Sequence, residues 1–342
     1  MVAESKIPTA DAESWNACRF PGSGSGSGHV ESYFCKLNSP DNRRALWLKA
    51  TLRVPVAADR ESVAESWAIV FERGRPPRAA KQVVPLRAAR FSDVGLDLAV
   101  ADLFWRTGKI SGGVGHAGGR EILFDLRSRD VQAPLAPLPA TFYAGSFPRF
   151  KFVSPSPDAR FDGNYVVDGE RVDVSDWRGM QGHNWGRGHT YRYAWGHCNQ
   201  WDDVPAEDTL FFEGATAQIK LGPIVAPPVT LLAVGHRGVR HVFNTPLDLL
   251  RARGRHDMRR WSFSAENRLA RVSGHLEAAG PEFAGLLYEN PTGPPAHCLN
   301  SKLAQGELHL EVRGHSPIVA RTRSAALEIG TQSTDHGVIV LV

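Results

Sequence analysis

The sequence predicts an all-β protein built from antiparallel barrels or sandwiches. Many short segments alternate between apolar and polar residues, which is the period-two pattern of a half-buried strand. Glycine and proline, with 33 and 23 copies among 342 residues, are scattered along the chain, as expected where many short strands need turns. Helical periodicity is scarce, and its best example is PLDLLRAR at 246–253. A chain of this length forms two domains or one large β unit.

Strand patterns begin after GSGSGSG at 22–28, which we interpret as a flexible lead-in. HVESYFCKLN (29–38) and RALWLKATLRV (44–54) are separated by SPDN, and this turn sequence predicts a hairpin. The proline-rich APLAPLP (133–139) indicates a crossing between elements. The other strands predicted in this half lie at 66–72, 96–105 and 120–127.

The remaining chain shows the same pattern. NYVV and RVDVS flank Asp168-Gly169, the strongest short hairpin signal in the sequence. Further strands are predicted at 209–222, 229–244, 260–266, 270–278, 307–313 and 336–342.

One segment, QGHNWGRGHTYRYAWGHCNQW (181–201), carries its bulky and titratable residues at odd positions. These residues are His183, Trp185, His189, Tyr191, Tyr193, Trp195, His197, Asn199 and Trp201. If the segment is one strand or one hairpin, they form a single face. That face either lines a binding cavity or fills a core.

Composition and charge narrow the functional classes. The net charge is +4, and the densest basic run, RARGRHDMRR (251–260), contains no aromatic residue, so nucleic-acid binding is not predicted. The N-terminus lacks a signal-peptide pattern, no apolar stretch reaches 18 residues, and the four cysteines form no CxxC pair. We therefore expect a cytoplasmic protein with reduced thiols, while peripheral membrane contact stays open.

No cofactor or metal is predicted. The GxGxxG match at 113–118 is followed by the strand-like REILFDL, so we interpret it as a glycine-rich turn and not as a dinucleotide site. His183, His189 and His197 are separated by six and eight residues, which matches no compact ligand signature.

Two carboxylates stand out. Glu213 shares its strand face with Phe211 and Ala215, and a carboxylate on an apolar face either finds a partner or stays protonated with a raised pKa. Glu213 is thus a candidate proton donor, unless Arg192 pairs with it or a bulge moves it to solvent. Glu31 shares a face with His29 and Tyr33, and is either a second pocket acid or a surface residue.

The segments GERVDVSDWRGMQGHNWG and YAWGHCN resemble the two-domain lipocalin-like superfamily of carotenoid 1,2-hydratase and AttH-like proteins, with a more distant likeness to tocopherol cyclase. HVESYF is similar to the first strand of those proteins. The likeness covers about residues 29 to 310. It implies two lipocalin-like β-barrel or sandwich domains, which we place at 29–200 and 201–342 after a flexible segment at 1–28.

The resemblance also implies a deep apolar cavity for a terpenoid or similar substrate, and chemistry in which a carboxylic acid protonates an alkene. The family's His-x-Trp element falls on His183 and Trp185. Its Tyr-x-Asp element falls on Phe211 and Glu213, so Phe and Glu replace Tyr and Asp. Aromatic faces would stabilise the cation that forms.

The sequence therefore predicts a cofactor-independent hydratase, cyclase or isomerase acting on a hydrophobic isoprenoid or polyketide-like substrate. Glu213 is the predicted acid and His183 the predicted base. The predicted substrate-binding residues are Trp185, Tyr193, Trp195, His197, Asn199, Phe211, Glu31, Tyr33 and Trp47. The alternative is a non-catalytic, lipocalin-like carrier of an apolar ligand.

Overall fold

Antiparallel strands form nearly all of the regular structure. The computed structural model describes residues 13–20, 26, 28–115, 119–205, 207–221 and 224–342. Parts of GSGSGSG and of the GxGxxG match lie outside these residues. The all-β prediction is confirmed. The described helices are α1 (Ala140–Ala144), α2 (Pro246–Arg251) and two 3-10 turns (Leu86–Ala88 and Gly280–Glu282), and none of them is a candidate for crossing a membrane.

The first sheet curls into a barrel-like unit, the first barrel. Its strands are β1 (His29–Asn38), β2 (Arg44–Val54), β3 (Val63–Glu72), β4 (Arg78–Pro85), β5 (Arg90–Phe91), β6 (Asp97–Val100), β7 (Leu103–Arg106), β8 (Lys109–Gly115), β9 (Glu121–Arg129), β10 (Phe150–Val167) and β11 (Glu170–Gly186). They lie in the order β4-β3-β2-β1-β11-β10-β9-β8-β7-β6-β5, and β3 and β4 approach β6 and β8. The apolar interior includes Leu37, Leu48, Trp105, Phe124 and Phe161.

The second sheet forms the second barrel. Its strands are β12 (Arg192–Cys198), β13 (Leu210–Gln218), β16 (Val229–His236), β17 (Val239–Phe243), β18 (Arg253–His256), β19 (Arg260–Glu266), β20 (Ala270–Glu277), β21 (Ala284–Tyr288), β22 (Ala296–Val312) and β23 (Ile318–Thr331). They lie in the order β17-β16-β13-β12-β23-β22-β20-β19-β18, and β21 pairs with β22. A separate small hairpin joins β14 (Lys220–Leu221) and β15 (Ile224–Val225).

Local sequence explains several of these elements. The Asp168-Gly169 turn joins β10 to β11, and both residues have the positive φ that this tight turn requires, 52° and 80°. Helix α2 begins with a capping box in which the Thr245 side chain accepts from the Asp248 amide and Asp248 accepts from the Thr245 amide. A Cβ at Gly196 would lie 2.4 Å from Leu276, so glycine leaves room for the packing inside the second barrel.

Four segment predictions differ from the structure. The predicted strand 229–244 is the hairpin of β16 and β17, which turns at Arg237 and Gly238. The predicted strand 96–105 is the hairpin of β6 and β7, which turns at Ala101 with a φ of 51°. The predicted strand 336–342 makes only an isolated bridge between Val340 and Gly285. Strand β22 begins at Ala296, well before the predicted start at 307, and β23 has no predicted counterpart.

The chain passes from the first sheet to the second between Gly186 and Arg192, which is earlier than the predicted boundary after residue 200. The two barrels pack through β1, β2 and β3 against β22, and through β10 against β13. We call the side chains buried between them the inter-barrel layer. In β1, Tyr33 and Cys35 point into the first barrel, whereas Phe34 points into the layer and lies 5.6 Å from the Trp195 ring.

Candidate functional site

A fully buried carboxylate, Glu31, organises the interior of the first barrel near the start of β1. Its Oε1 accepts hydrogen bonds from His183 Nε2 at 2.8 Å and from the Tyr33 hydroxyl at 3.0 Å. Its Oε2 accepts from His29 Nε2 at 2.8 Å. We call these four residues the Glu31 cluster. The Tyr33 and His183 rings stack at 4.2 Å, because the two residues face each other across β1 and β11.

The charges within the Glu31 cluster follow from its hydrogen bonds. Burial alone would raise the pKa of Glu31, but the hydrogen bonds from His183 and His29 outweigh it and lower the pKa to about 2. The second nitrogen of His183, Nδ1, lies 2.7 Å from the Trp15 carbonyl oxygen. Since a carbonyl and an ionised carboxylate only accept, His183 donates from both nitrogens and carries a positive charge. Glu31 and His183 therefore form a buried ion pair.

His29 differs from His183 because only one of its two ring nitrogens has a hydrogen-bond partner among the described residues. Its Nε2 donates to Glu31, and no described residue hydrogen-bonds to its Nδ1. Because His183 already compensates the charge of Glu31, His29 is not needed as a second cation. A neutral His29 in this orientation keeps a lone pair on Nδ1, which is the arrangement of a general base oriented by a carboxylate.

The described N-terminal residues 13–20 lie over the Glu31 cluster. The Arg19 amide donates to both Glu31 oxygens, at 2.8 and 3.0 Å, and the Trp15 carbonyl accepts from His183. Asn16 accepts from Gln181 at 2.7 Å. This part of the predicted flexible segment 1–28 is thus packed against the first barrel and excludes water from Glu31.

Two cavities flank the Glu31 cluster. The basic cleft, of about 370 Å³, is lined by Arg19, His29, Arg149, Lys151, Trp185 and Arg187, together with Gly28, Ser146, Pro148 and Gly186. The second cavity, of about 220 Å³, has a mainly apolar wall that includes Leu96, Trp105, Ile110 and Phe161, and we call it the apolar cavity. Polar residues also line it, namely Glu13, Asn16, Thr107, Ser128, Gln132, Ser156 and Gln181. Along the inward face of β11, Gln181 lines the apolar cavity, His183 lies in the cluster and Trp185 lines the basic cleft. Three alternate residues of β11 therefore reach, in order, the apolar cavity, the Glu31 cluster and the basic cleft.

Glu213 lies in the inter-barrel layer and is 1% exposed. Ser154 on β10 donates to its Oε2 at 2.6 Å, and Trp195 Nε1 donates to its Oε1 at 3.1 Å. Burial raises the pKa of Glu213 to about 7, although both hydrogen bonds act to lower it. Pairing with Arg192 does not occur, because Arg192 is exposed and lies beside the Tyr191 ring. A buried carboxyl group with a raised pKa is therefore present, as the strand pattern predicts.

The other residues predicted to bind substrate from β12, β13 and β2 also lie in the inter-barrel layer. His197 donates to the Pro157 carbonyl at 2.7 Å and keeps a buried, unpartnered Nδ1 among the described residues. Asn199 donates to Asp158 and to the Gly179 carbonyl, each at 2.8 Å. The remaining members, each within an apolar cluster, are Tyr193, Trp195, Phe211 and Trp47.

The structure therefore does not bring Glu213 and His183 together. His183 faces the interior of the first barrel and Glu213 faces the inter-barrel layer, and neither residue lines either described cavity. The odd-numbered row 181–201 divides between two strands of different sheets, β11 and β12. From Trp177 onward, odd positions of β11 point into the first barrel, whereas before the irregularity at Asp176 the even positions Val172 and Val174 do so. Odd positions of β12 point toward the other barrel. Side-chain parity predicts a shared face only within one strand.

Four cationic residues of the basic cleft were not among the predicted site residues. Arg149 and Lys151 flank the start of β10, Arg187 follows β11, and Arg19 precedes β1. The sequence alone could have placed Arg149 and Lys151 on one strand face, because residues two apart in a strand point to the same side. The pairing of these positions with the end of β11 is a long-range contact that the sequence does not reveal.

Comparisons with known proteins support the fold. No protein-family model matches the chain. Two proteins of Mycobacterium tuberculosis strains, both named as uncharacterized proteins, are 25% identical over 315 residues, or 90% of this chain and 88% of theirs. The crystal structure of kievitone hydratase from Nectria haematococca matches with a TM-score of 0.53 at 11% identity, covering 89% of each chain. An AttH-like protein from Nitrosomonas europaea matches with a TM-score of 0.49 at 11% identity, covering 91% of this chain and 97% of that one. The two antiparallel sheets and the likeness to the kievitone hydratase structure show that this chain has a lipocalin-like β fold.

Proposed function

We propose that this protein is a cofactor-independent lyase of the hydratase type that adds water to a carbon–carbon double bond in the basic cleft. The main support is the position of His29, which lines the basic cleft while its Nε2 is fixed by the ionised Glu31. A solved structure with the same fold is a hydratase by name, which agrees with this class of reaction. The proposal itself depends on the geometry around His29.

The reaction needs one base and one acid. His29 Nδ1 takes a proton from water as the water oxygen bonds to one carbon of an alkene that is conjugated with an electron-withdrawing group. The alkene electron pair moves to the neighbouring carbon, where that group delocalises it. That carbon then takes the proton back from His29 Nδ1, so water is added and the base is restored. A positioned base of this kind typically contributes about 10²- to 10⁴-fold to the rate. Glu31 keeps the Nδ1 lone pair directed away from itself and stabilises the transient charge on His29.

Protonation of an alkene by Glu213 is the other route to the same reaction class. A carboxyl pKa of about 7 suits a proton donor at neutral pH. The route requires substrate to reach the inter-barrel layer, where the carboxyl group is held by Ser154 and Trp195. His29 needs no such opening, because it already lines a cleft, so the geometry supports the His29 route better.

A carrier of an apolar ligand is the second candidate function, and the apolar cavity favours it. Leu96, Trp105, Ile110 and Phe161 line this cavity, while Gln181 offers an amide that could orient a ligand. An isoprenoid or polyketide-like molecule, as the resemblance implies, fits this lining better than that of the basic cleft. The carrier proposal requires binding without turnover.

Incubation of the purified protein with a metabolite extract in water labelled with oxygen-18 tests the proposal. Mass spectrometry should detect a product that carries the label and forms only when the protein is present. The variant His29→Gln should remove the product. The matched variant His309→Gln should retain it, since His309 also contacts a glutamate two residues away, Glu307, but on an exposed strand face. A substrate that binds and is never labelled would favour the carrier.

A further inference from the structure

The basic cleft carries an excess of positive charge that no described carboxylate neutralises. Arg19, Arg149, Lys151 and Arg187 line it, and no Asp or Glu does. The structure gives no ion pair between Arg149, Lys151 or Arg187 and a described carboxylate, whereas arginines such as Arg129, Arg160 and Arg321 each pair with one. A concentration of one charge in a concave site favours a ligand of the opposite charge.

Strand pairing forces these cations together. The Arg187 amide donates to the Arg149 carbonyl at 3.0 Å, so the two residues sit opposite each other at the ends of β10 and β11. Lys151 is the register partner of Trp185 on the same pair of strands. Like charges directly opposite each other destabilise a sheet, so this arrangement costs folding free energy unless an anion occupies it.

One cation of the cleft is held in place by the fold. Lys151 is 8% exposed, and its ammonium donates to the carbonyls of Tyr143 and Gly145. Arg19, Arg149 and Arg187 are exposed, and the Arg19 guanidinium lies 5.2 Å from the centre of the Trp185 ring. The cleft therefore offers an aromatic surface beside one buried and three exposed cations.

We propose that the basic cleft binds an organic oxyanion, a carboxylate or a phosphate attached to a planar group, with the oxyanion on Arg149, Arg187 and Lys151 and the planar group beside Trp185. Arginine suits this role because its planar fork matches the two oxygens of a carboxylate or phosphate. The identification of this ligand as the substrate rests on the proposed function. In water addition to an alkene conjugated with a carboxylate, negative charge grows on the carboxylate, where these cations would stabilise it.

The test uses anions that cannot be hydrated, so its outcome is independent of catalysis. Isothermal titration calorimetry compares benzoate, phenyl phosphate and the uncharged benzamide. One of the two anions should bind at least about tenfold more tightly than benzamide, and added salt should weaken that binding. The stronger of the two identifies carboxylate or phosphate as the group recognised.

The double variant Arg149→Gln/Arg187→Gln should reduce binding of the preferred anion by about tenfold or more, because it removes two charge-assisted contacts. The matched double variant Arg268→Gln/Arg313→Gln removes the same charge from exposed positions on the second barrel and should leave binding unchanged. Equal binding of anions and benzamide, or equal affinity in both double variants, would overturn this inference. Anion binding without any labelled product would instead overturn the proposed function alone.

Discussion

His29 Nε2 lies 2.8 Å from Glu31 Oε2, and this contact links a buried ion pair to a cleft that a substrate can enter. On one side, Glu31 is fixed by His183, Tyr33 and the Arg19 amide. On the other side, His29 lines the basic cleft. The arrangement gives His29 a fixed orientation and leaves its Nδ1 without a hydrogen-bond partner among the described residues, which are the two properties that a general base requires.

Loss of the Glu31 charge should destabilise the first barrel. Glu31→Gln removes one partner of the buried pair with His183, and breaking a buried pair in this way costs roughly 3 to 5 kcal/mol. Denaturant unfolding should show a loss in this range. The counterpart Glu307→Gln, at a partly exposed position that pairs with His309 and Arg321, should lose much less stability than Glu31→Gln. An unfolding free energy for Glu31→Gln equal to that of the wild type would contradict the buried ion pair.

Glu213 should make stability depend on pH in the neutral range. Its folded pKa of about 7 is above the ordinary value of 4.5, so between these pH values the folded state holds a proton that the unfolded chain has released. The free energy of unfolding should therefore fall as pH rises through this window, by roughly 3 kcal/mol in total. The difference between wild type and Glu213→Gln isolates the effect.

The control for this measurement is Ser154→Ala, which removes one hydrogen bond to the carboxyl group but keeps the titrating group. That bond lowers the pKa of Glu213, so its loss should raise the pKa further. The fall in the free energy of unfolding should then continue to higher pH than in the wild type. A wild-type curve parallel to that of Glu213→Gln between pH 5 and 8 would show that the carboxyl is not perturbed.

Buried lysines should make the free energy of unfolding rise with pH in the alkaline range, opposite to the effect of Glu213. Lys36 is fully buried between Asn38 and Asn199, and burial lowers its pKa from 10.5 to about 8. Between these values the unfolded chain holds the proton, so the free energy of unfolding should rise with pH. Lys36→Met should flatten the rise measured by denaturant unfolding, whereas Lys220→Met at an exposed position should not. An unchanged rise in Lys36→Met would contradict a Lys36 pKa that burial lowers.

Local patterns predicted the fold, but the site depends on how the sheets are assembled. The β1–β2 hairpin, the Asp168-Gly169 turn and helix α2 follow from alternation, turn residues and capping, which are set within a few residues. Burial of Glu213 followed from the same alternation. The contact between Glu31 and His183 joins residues far apart in sequence, and its geometry depends on the pairing of β1 with β11.

The sequence predicted one cavity shared by His183 and Glu213, and the structure separates these residues for a specific reason. Gly186 and Gly188 mark the break where the chain leaves β11, and the sequence alone gave no reason to assign the following strand to another sheet. His29 was visible on the same face as Glu31 and Tyr33, but its access to a cleft depends on residues of β10 and β11 that reach it only in the folded chain.

Oxygen-18 incorporation by wild type, His29→Gln and Glu213→Gln under identical conditions decides most directly whether His29 is the base. We expect His29→Gln to lower the rate of labelled product formation by about 100-fold or more, a loss at least about tenfold greater than in Glu213→Gln. Labelling at the wild-type rate in His29→Gln, with loss of labelling in Glu213→Gln, would contradict this expectation and place the chemistry in the inter-barrel layer.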